Sequence, residues 1–309
     1  MTRLLVLRLS ALGDVIHTIP AVVALRDAFP RGMISWAVEA PYCELVEIVA
    51  GVEAIPVSMK KWGLSPISSR SAIIDTWYSL RRAGVSVDFQ GLLKSAMLGW
   101  LSGASVRFGL HRDVIREKAA LAFLTRPVAV DPRRHVVEQN LELAFNVLHG
   151  ATPGTPNWNA FPEPTNALRE LEGAIVLLPG AGKRNKIWPP ERFGELARRI
   201  GARAVVAWGP PDRLLAEATG APLAPPTNLR ELAWLLRHAR VVVGGDTGPL
   251  HLAAALGTKV VGLYGPTNPR RTGPYGQLDR CIERYSTTKL MNSISVEDVM
   301  TLLGRVASE

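Results

Sequence analysis

Apolar runs of strand length, each followed by a stretch of helical periodicity, divide the chain. Arg3–Leu9 reads as a buried parallel strand, Ser10 to Asp14 (SALGD) as a turn, and Val15–Ala28 as a helix. Ile34–Val38 and Ala54–Pro56 are further strands with a helix over Tyr42–Val49 between them. Ile67–Ala83 is helical, Val85–Asp88 and Val106–Gly109 are strands, and His135–Leu148 is a well-patterned helix. Short strands alternating with helices predict the α/β class and a doubly wound parallel sheet.

Residues 151–166, ATPGTPNWNAFPEPTN, hold four prolines in sixteen residues and have no periodicity. A domain linker is expected there, dividing the chain into residues 1–155 and 156–309. The alternation then restarts, with strands at Ala174–Leu178, Ala204–Trp208, Val241–Val243 and Val260–Leu263 and helices at Pro190–Ile200 and Leu229–His238. The tail Ser295–Ala307 is a last helix with Ser295 as N-cap and Asp298 at its third position, and it is a candidate to pack back on the first domain. Two Rossmann-like halves result.

Two strand–turn–helix units carry candidate chemistry. In Val241 to Pro266, VVVGGDTGPLHLAAALGTKVVGLYGP, a glycine-rich turn with Asp246, Thr247 and Gly248 leads into a helix bearing His251. Unpaired N–H groups and the helix dipole stabilise an anion at such a turn, and Pro249 suits a first helical turn. An ordinary capped crossover would share this pattern, so Asp246 and His251 are the residues that need explaining. In the first unit Asp14 reads either as a helix N-cap or as a carboxylate at the mouth of the first strand, where open α/β sheets bind ligands. The first turn has a single glycine, Gly13, so no G-x-G-x-x-G fingerprint is present, and Walker A is absent too.

Composition narrows the class further. The 309 residues, 47% hydrophobic and 20% charged, suffice for two soluble cores. Cys43 and Cys281 lie far apart with no C-x-x-C spacing, which argues against a disulfide framework or zinc site and fits a reducing cytoplasm. Arg8, Asp14 and His17 interrupt the first apolar run, against a signal peptide, and no run approaches the length needed to span a bilayer. The net charge of +9 is uneven: residues 57–134 hold thirteen Lys/Arg against five Asp/Glu, a net of +8. Such a patch attracts an anionic partner, and the chain carries no recognised nucleic-acid motif.

SALGDVIHTIP at 10–20 and DTGPLHLAAALGTKVVGLYGPTNP at 246–269 closely resemble the heptosyltransferases of lipopolysaccharide core assembly, family nine of the glycosyltransferases. QGLLKSA (90–96), REKAALAF (116–123), HVVEQNLEL (135–143) and the K-x-W of Lys186 and Trp188 match in character, so the resemblance covers nearly the whole chain. It implies the GT-B architecture, two Rossmann-like domains facing a central cleft, and inverting transfer of L-glycero-D-manno-heptose from ADP-heptose. The SALGDVIHTIP form is more similar to the heptosyltransferase I branch, which adds the first heptose to Kdo on lipid A, than to heptosyltransferase II. On this resemblance Asp14 is the general base and Lys186 contacts the donor diphosphate. Asp246 holds the heptose or nucleotide, Thr247, Gly248 and His251 belong to the diphosphate turn, and Gly13 joins the donor site. Asp212 is the nearest candidate for the acidic contact to the donor ribose. Where the family often has threonines this chain has Ala181 and Gly182, so phosphate contacts there fall to backbone N–H groups.

The family's acceptor-binding basic residues correspond to Lys60, Lys61 and Arg116, inside the basic segment. The implied partners are ADP-heptose, Kdo-lipid A or a similar anionic glycolipid, and the inner-membrane surface, with no nucleic acid. No cofactor and no metal are expected, and the expected location is the cytoplasmic face of that membrane. A transferase acting on a different glycan or protein, and a non-catalytic binder of sugar nucleotide or nucleic acid, remain as alternatives.

Overall fold

The computed structural model describes residues 3–59, 61, 68–81, 83–149, 154, 156 and 161–309. Two compact units divide the chain, Met1–Ala160 and Phe161–Glu309, so the break falls inside the proline-rich stretch and slightly after the expected 155/156 boundary.

The first unit has six parallel strands: β1 (Arg3–Leu7), β2 (Met33–Glu39), β3 (Val52–Val57), β4 (Ala83–Asp88), β5 (Val106–Leu110) and β6 (Arg126–Val128). Their order is β3-β2-β1-β4-β5-β6. Leu4, Leu5, Val6 and Leu7 of the central strand are all buried. At about 1.5–3 kcal/mol for each large apolar side chain taken out of water, that strand defines the sheet's middle. Helices α1 (Leu12–Ile16), α2 (Ile19–Ala28), α3 (Cys43–Glu47), α4 (Arg70–Leu80), α5 (Leu93–Leu101) and α6 (Val136–Val147) follow the strands.

Two local expectations change. The helix read over Val15–Ala28 is two helices that break at His17 and Thr18, because Pro20 falls in the opening turn of α2, where its missing N–H costs nothing. Asp14 is also not the N-cap: α1 starts earlier, Ala11 takes that position, and Val15 N–H donates to the Ala11 carbonyl at 2.9 Å. The carboxylate is thereby free of the cap role.

The second unit has β7 (Ile175–Leu178), β8 (Ala204–Val206), β9 (Val241–Gly245), β10 (Val260–Tyr264) and β11 (Cys281–Glu283), again all parallel, in the order β11-β10-β9-β7-β8. Counted within the unit this is 2-1-3-4-5, the other common doubly wound order, so the two halves share an architecture and not a strand order. Its helices are α7 (Asn166–Arg169), α8 (Pro190–Ile200), α9 (Arg213–Ala218), α10 (Leu229–Arg237), α11 (Gly248–Ala255), α12 (Pro269–Thr272) and α13 (Val296–Ser308). Ser295 and Asp298 form the capping box that opens α13, and Val296, Val299, Leu303 and Val306 enter the second unit's core with Trp188, Phe193 and Leu196. The three-residue edge strands β6 and β11 escape a sequence reading because they are too short to show a period.

In both sheets the chain reverses direction of growth beside its first strand, between β1 and β4 and between β7 and β9. Loops at the carboxyl ends of such a pair diverge and leave room for a ligand. Asp14 and Gln90 follow β1 and β4, and Lys186 and Asp246 follow β7 and β9.

Candidate active site

At the β1/β4 end, Asp14 stands between two guanidinium groups. Arg8 Nη2 lies 2.9 Å from Asp14 Oδ1, and Arg116 Nη2 lies 3.2 Å from Oδ2. The two partners differ in surroundings: the Arg8 side chain is 3% exposed and that of Arg116 50%. Arg8 also donates from Nη1 to the Phe89 carbonyl. Burial pulls the Arg8 guanidinium below its ordinary value, and the neighbouring Asp14 carboxylate opposes that shift. Removing one partner of a buried pair costs about 3–5 kcal/mol, whereas an exposed pair is worth about 0–1 kcal/mol. Arg8 is therefore a fixed anchor and Arg116 an exchangeable one.

Beneath them Asp88 is fully enclosed. It accepts from Gln90 N–H (2.8 Å), Gly91 N–H (3.1 Å) and Ser95 Oγ (2.9 Å), and burial pushes its carboxyl up to about 6 against those hydrogen bonds. Gln90 Oε1 accepts from Leu9 N–H at 2.5 Å, so the ends of β1 and β4 are tied together under Asp14. Gly91 adopts φ of +68°, and its carbonyl accepts from Glu117 N–H at 3.0 Å, which fixes the loop carrying Arg116. The QGLLKSA and REKAALAF segments thus build the frame around one carboxylate.

At the β7/β9 end, Asp246 is clamped. Lys186 Nζ lies 2.6 Å from Asp246 Oδ2 and His251 Nε2 lies 3.1 Å from Oδ1. Burial alone would raise the Asp246 carboxyl, but His251 and then Lys186 outweigh it and hold the group well below the usual carboxylate range. Asp246 is a permanent anion at neutral pH. The K-x-W pattern gains a physical reading: Trp188 is buried, stands edge-on to Phe193 at 4.8 Å, and donates to the Ile294 carbonyl at 2.9 Å. It pins the loop that presents Lys186. Gly245 completes the fit, since a Cβ there would come within 3.0 Å of the Lys186 carbonyl oxygen.

Thr247 is the N-cap of α11 in extended conformation, and its hydroxyl makes no capping hydrogen bond; Gly248 is the first helical residue and His251 is buried in the opening turn. The leading N–H groups of α11 point, with their half-charge, toward the side that holds Lys186 and Asp246. Asp212 reaches the turn after β7, where its carboxyl covers Gly180 so closely that any Cβ at that glycine would lie 2.3 Å from Asp212 Cγ. Burial pushes the Asp212 carboxyl up.

The remaining predicted residues fall as follows. Gly13 lies in α1 beside Asp14 in the first unit, and Lys61 is exposed. Lys60 lies outside the described residues. Arg8, Asp88 and Gln90 join the site beyond the residues the sequence points to; the signal available for Arg8 is a charge closing the apolar run of residues 4–7, since a buried guanidinium demands a carboxylate. Among the described residues no group of three His, Cys, Asp or Glu side chains could hold a metal ion, and no helix is long and apolar enough to cross a membrane.

A family model described as glycosyltransferase family 9 (heptosyltransferase) matches residues 74–300. The lipopolysaccharide heptosyltransferase 1 of Pseudomonas aeruginosa is 33% identical over 301 residues, covering 89% of this chain and 82% of the relative. Among solved structures, the E. coli heptosyltransferase WaaC with ADP superposes at a TM-score of 0.84 with 26% identity, covering 98% of this chain and 99% of that one. The same enzyme with ADP-2-deoxy-2-fluoro heptose superposes at 0.79 with 25% identity over the same shares.

Proposed function

The chain belongs to glycosyltransferase family 9 and has its GT-B fold, and from that premise we propose that it moves L-glycero-D-manno-heptose from ADP-heptose to Kdo of a lipid A-borne inner core. The observation that carries the reading is the Lys186–Asp246–His251 cluster at the head of α11, in a fold that matches a heptosyltransferase solved with ADP and with an ADP-heptose analogue. Family membership sets aside the non-catalytic reading.

The chemistry follows from the two carboxylates. The acceptor hydroxyl attacks the anomeric carbon as the bond from that carbon to the diphosphate oxygen breaks, with inversion. Asp14 takes the hydroxyl proton on Oδ2 once Arg116 has moved to the acceptor's anionic groups; Oδ1 stays on Arg8. Lys186 and the leading amides of α11 meet the charge that gathers on departing ADP. Asp246 and His251 position Lys186 and the donor, and Asp212 serves the ribose. Charge on the diphosphate is met by these groups and needs no resident metal or other cofactor. The acceptor's phosphates and Kdo carboxylates are assigned to Lys60, Lys61 and Arg116, and the protein works at the cytoplasmic face of the inner membrane, held on its surface.

One assay tests this. Purified protein incubated with ADP-heptose and Kdo-lipid A is expected to release ADP and add one heptose to the lipid. Donor binding without transfer to any Kdo acceptor would overturn the acceptor assignment.

A further inference from the structure

Two helices of the first unit leave apolar side chains in solvent that neither the fold nor the proposed reaction explains. On α4 only Thr76 and Leu80 are buried. Ile74, Trp77 and Tyr78, spaced i, i+3 and i+4 and so on one face, are exposed, Tyr78 at 63%. On α5, which lies beside α4, Leu93, Met97, Trp100 and Leu101 recur at i, i+4, i+7 and i+8 as a second exposed stripe, Trp100 at 53%. The opposite side of α5 carries the buried Ala96, Leu98 and Gly99. A helix that is apolar on its inner and its outer face has an outer partner.

We propose that this face of α4 and α5 rests on an anionic lipid bilayer. The charges around it select that partner. Arg70 and Arg81 stand at the two ends of α4, and the Arg81 guanidinium lies 4.4 Å over the Trp77 ring. Lys94 sits in the first turn of α5. Residues 118–123 pack against α5, with Phe123 edge-on to Trp100 at 6.0 Å, and this segment opens on the exposed Lys118. Opposing charge is sparse: Asp75 is exposed on α4, Glu39 interacts with Lys94, Asp88 is buried, and Glu117 accepts from the Leu93 N–H at 2.7 Å. Tryptophan and tyrosine rings on helices that also carry arginine and lysine, with Arg81 over Trp77, match the headgroup layer, where rings sit at the acyl boundary and cations reach phosphate. A second copy stacked on the same face would set one basic rim against another. The proposal deepens the reading of a lipid-borne acceptor and rests on it for its purpose, while its evidence is independent.

Flotation with phosphatidylcholine vesicles, with and without phosphatidylglycerol and with neither donor nor acceptor present, reads the binding apart from transfer. The protein is expected to float with the anionic vesicles and not with the neutral ones. The triple variant Ile74→Ser, Tyr78→Ser, Met97→Ser is expected to bind at least about tenfold more weakly, and Arg70→Glu with Arg81→Glu to lose the preference for anionic lipid. Both variants are expected to turn over a soluble, deacylated acceptor within about twofold of the parent, since none of these residues belongs to the site. Failure of the parent to float, or equal flotation of the triple variant, overturns the proposal. So does a dimer in lipid-free solution that the triple variant dissociates, which would make the face a contact between copies.

Discussion

Asp14 and Asp246 each lie just past the carboxyl end of a central strand, Asp14 inside α1 and Asp246 in the turn before α11, each with both oxygens on basic groups, yet their surroundings differ. Asp14 has one buried partner, Arg8, and one half-exposed partner, Arg116. Asp246 has two sheltered partners, Lys186 at 22% exposure and His251 at 4%. A carboxylate with one exchangeable partner can release an oxygen to accept a proton. One clamped on both sides holds its charge and orients what it touches.

The largest test exchanges each carboxylate for its amide. Asp14→Asn is expected to lower kcat by about a thousandfold, the usual scale of a lost general base, with donor affinity nearly unchanged. Asp246→Asn is expected instead to weaken donor binding and disturb Lys186, so that donor KM rises along with any fall in kcat. Steady-state kinetics with separate donor and acceptor titrations distinguish the two, and near-normal turnover of the Asp14 variant would end its assignment as base.

Lys186→Met comes next. If Lys186 meets the leaving diphosphate as proposed, its loss is expected to cost about a hundredfold in kcat, as for one oxyanion-hole donor. It also leaves Asp246 with His251 alone, so stability should fall too, which thermal unfolding would register.

Asp88 extends the contrast to pH. Its folded carboxyl titrates at about 6, against about 3.9 for an unfolded aspartate. Between those values the folded state binds a proton that the unfolded state lacks, so stability falls as pH rises from about 4 to about 6, by roughly 2–3 kcal/mol in all. Asp246 shifts the opposite way: its contribution is present above the unfolded value and is lost as pH falls through the folded one, below this window. Denaturant unfolding of Asp88→Asn across pH 4 to 6 is expected to lack the decline that the parent shows.

The features legible in the sequence are those set by neighbours in the chain. Buried strands such as Val241–Val243, the capping box at Ser295 and Asp298, and the glycine-rich turn at Asp246 all rest on contacts within a few residues. Asp14 could be picked out by position and resemblance, but its meaning depends on Arg116, 102 residues later, and on Arg8 just past the end of β1. No periodicity reports such a meeting. The same holds for Trp188, whose anchor is the Ile294 carbonyl 106 residues away, and for the second unit's strand order, which is set by which crossover packs on which face. Asp14 as an N-cap failed for a local reason: α1 begins at Leu12, before the apolar pattern that marks its core face.

The smallest effect separates the two arginines. Arg116 is half exposed, so its pair with Asp14 is worth less than about 1 kcal/mol, and Arg116→Gln should leave unfolding nearly unchanged. Arg8→Gln removes a buried cation and should cost several times more. On the proposed acceptor role, Arg116→Gln takes away a contact to the acceptor's anions as well as the group that covers Oδ2. Acceptor KM is then expected to rise several-fold with kcat held or slightly raised, and donor KM unmoved. Raising salt should weaken the parent's acceptor binding and narrow the gap to the variant, because this contact is exposed to screening. A kcat that falls as far as that of Asp14→Asn would mean Arg116 belongs with the fixed frame, and the division of Asp14 into an anchored and an exchangeable oxygen would be lost.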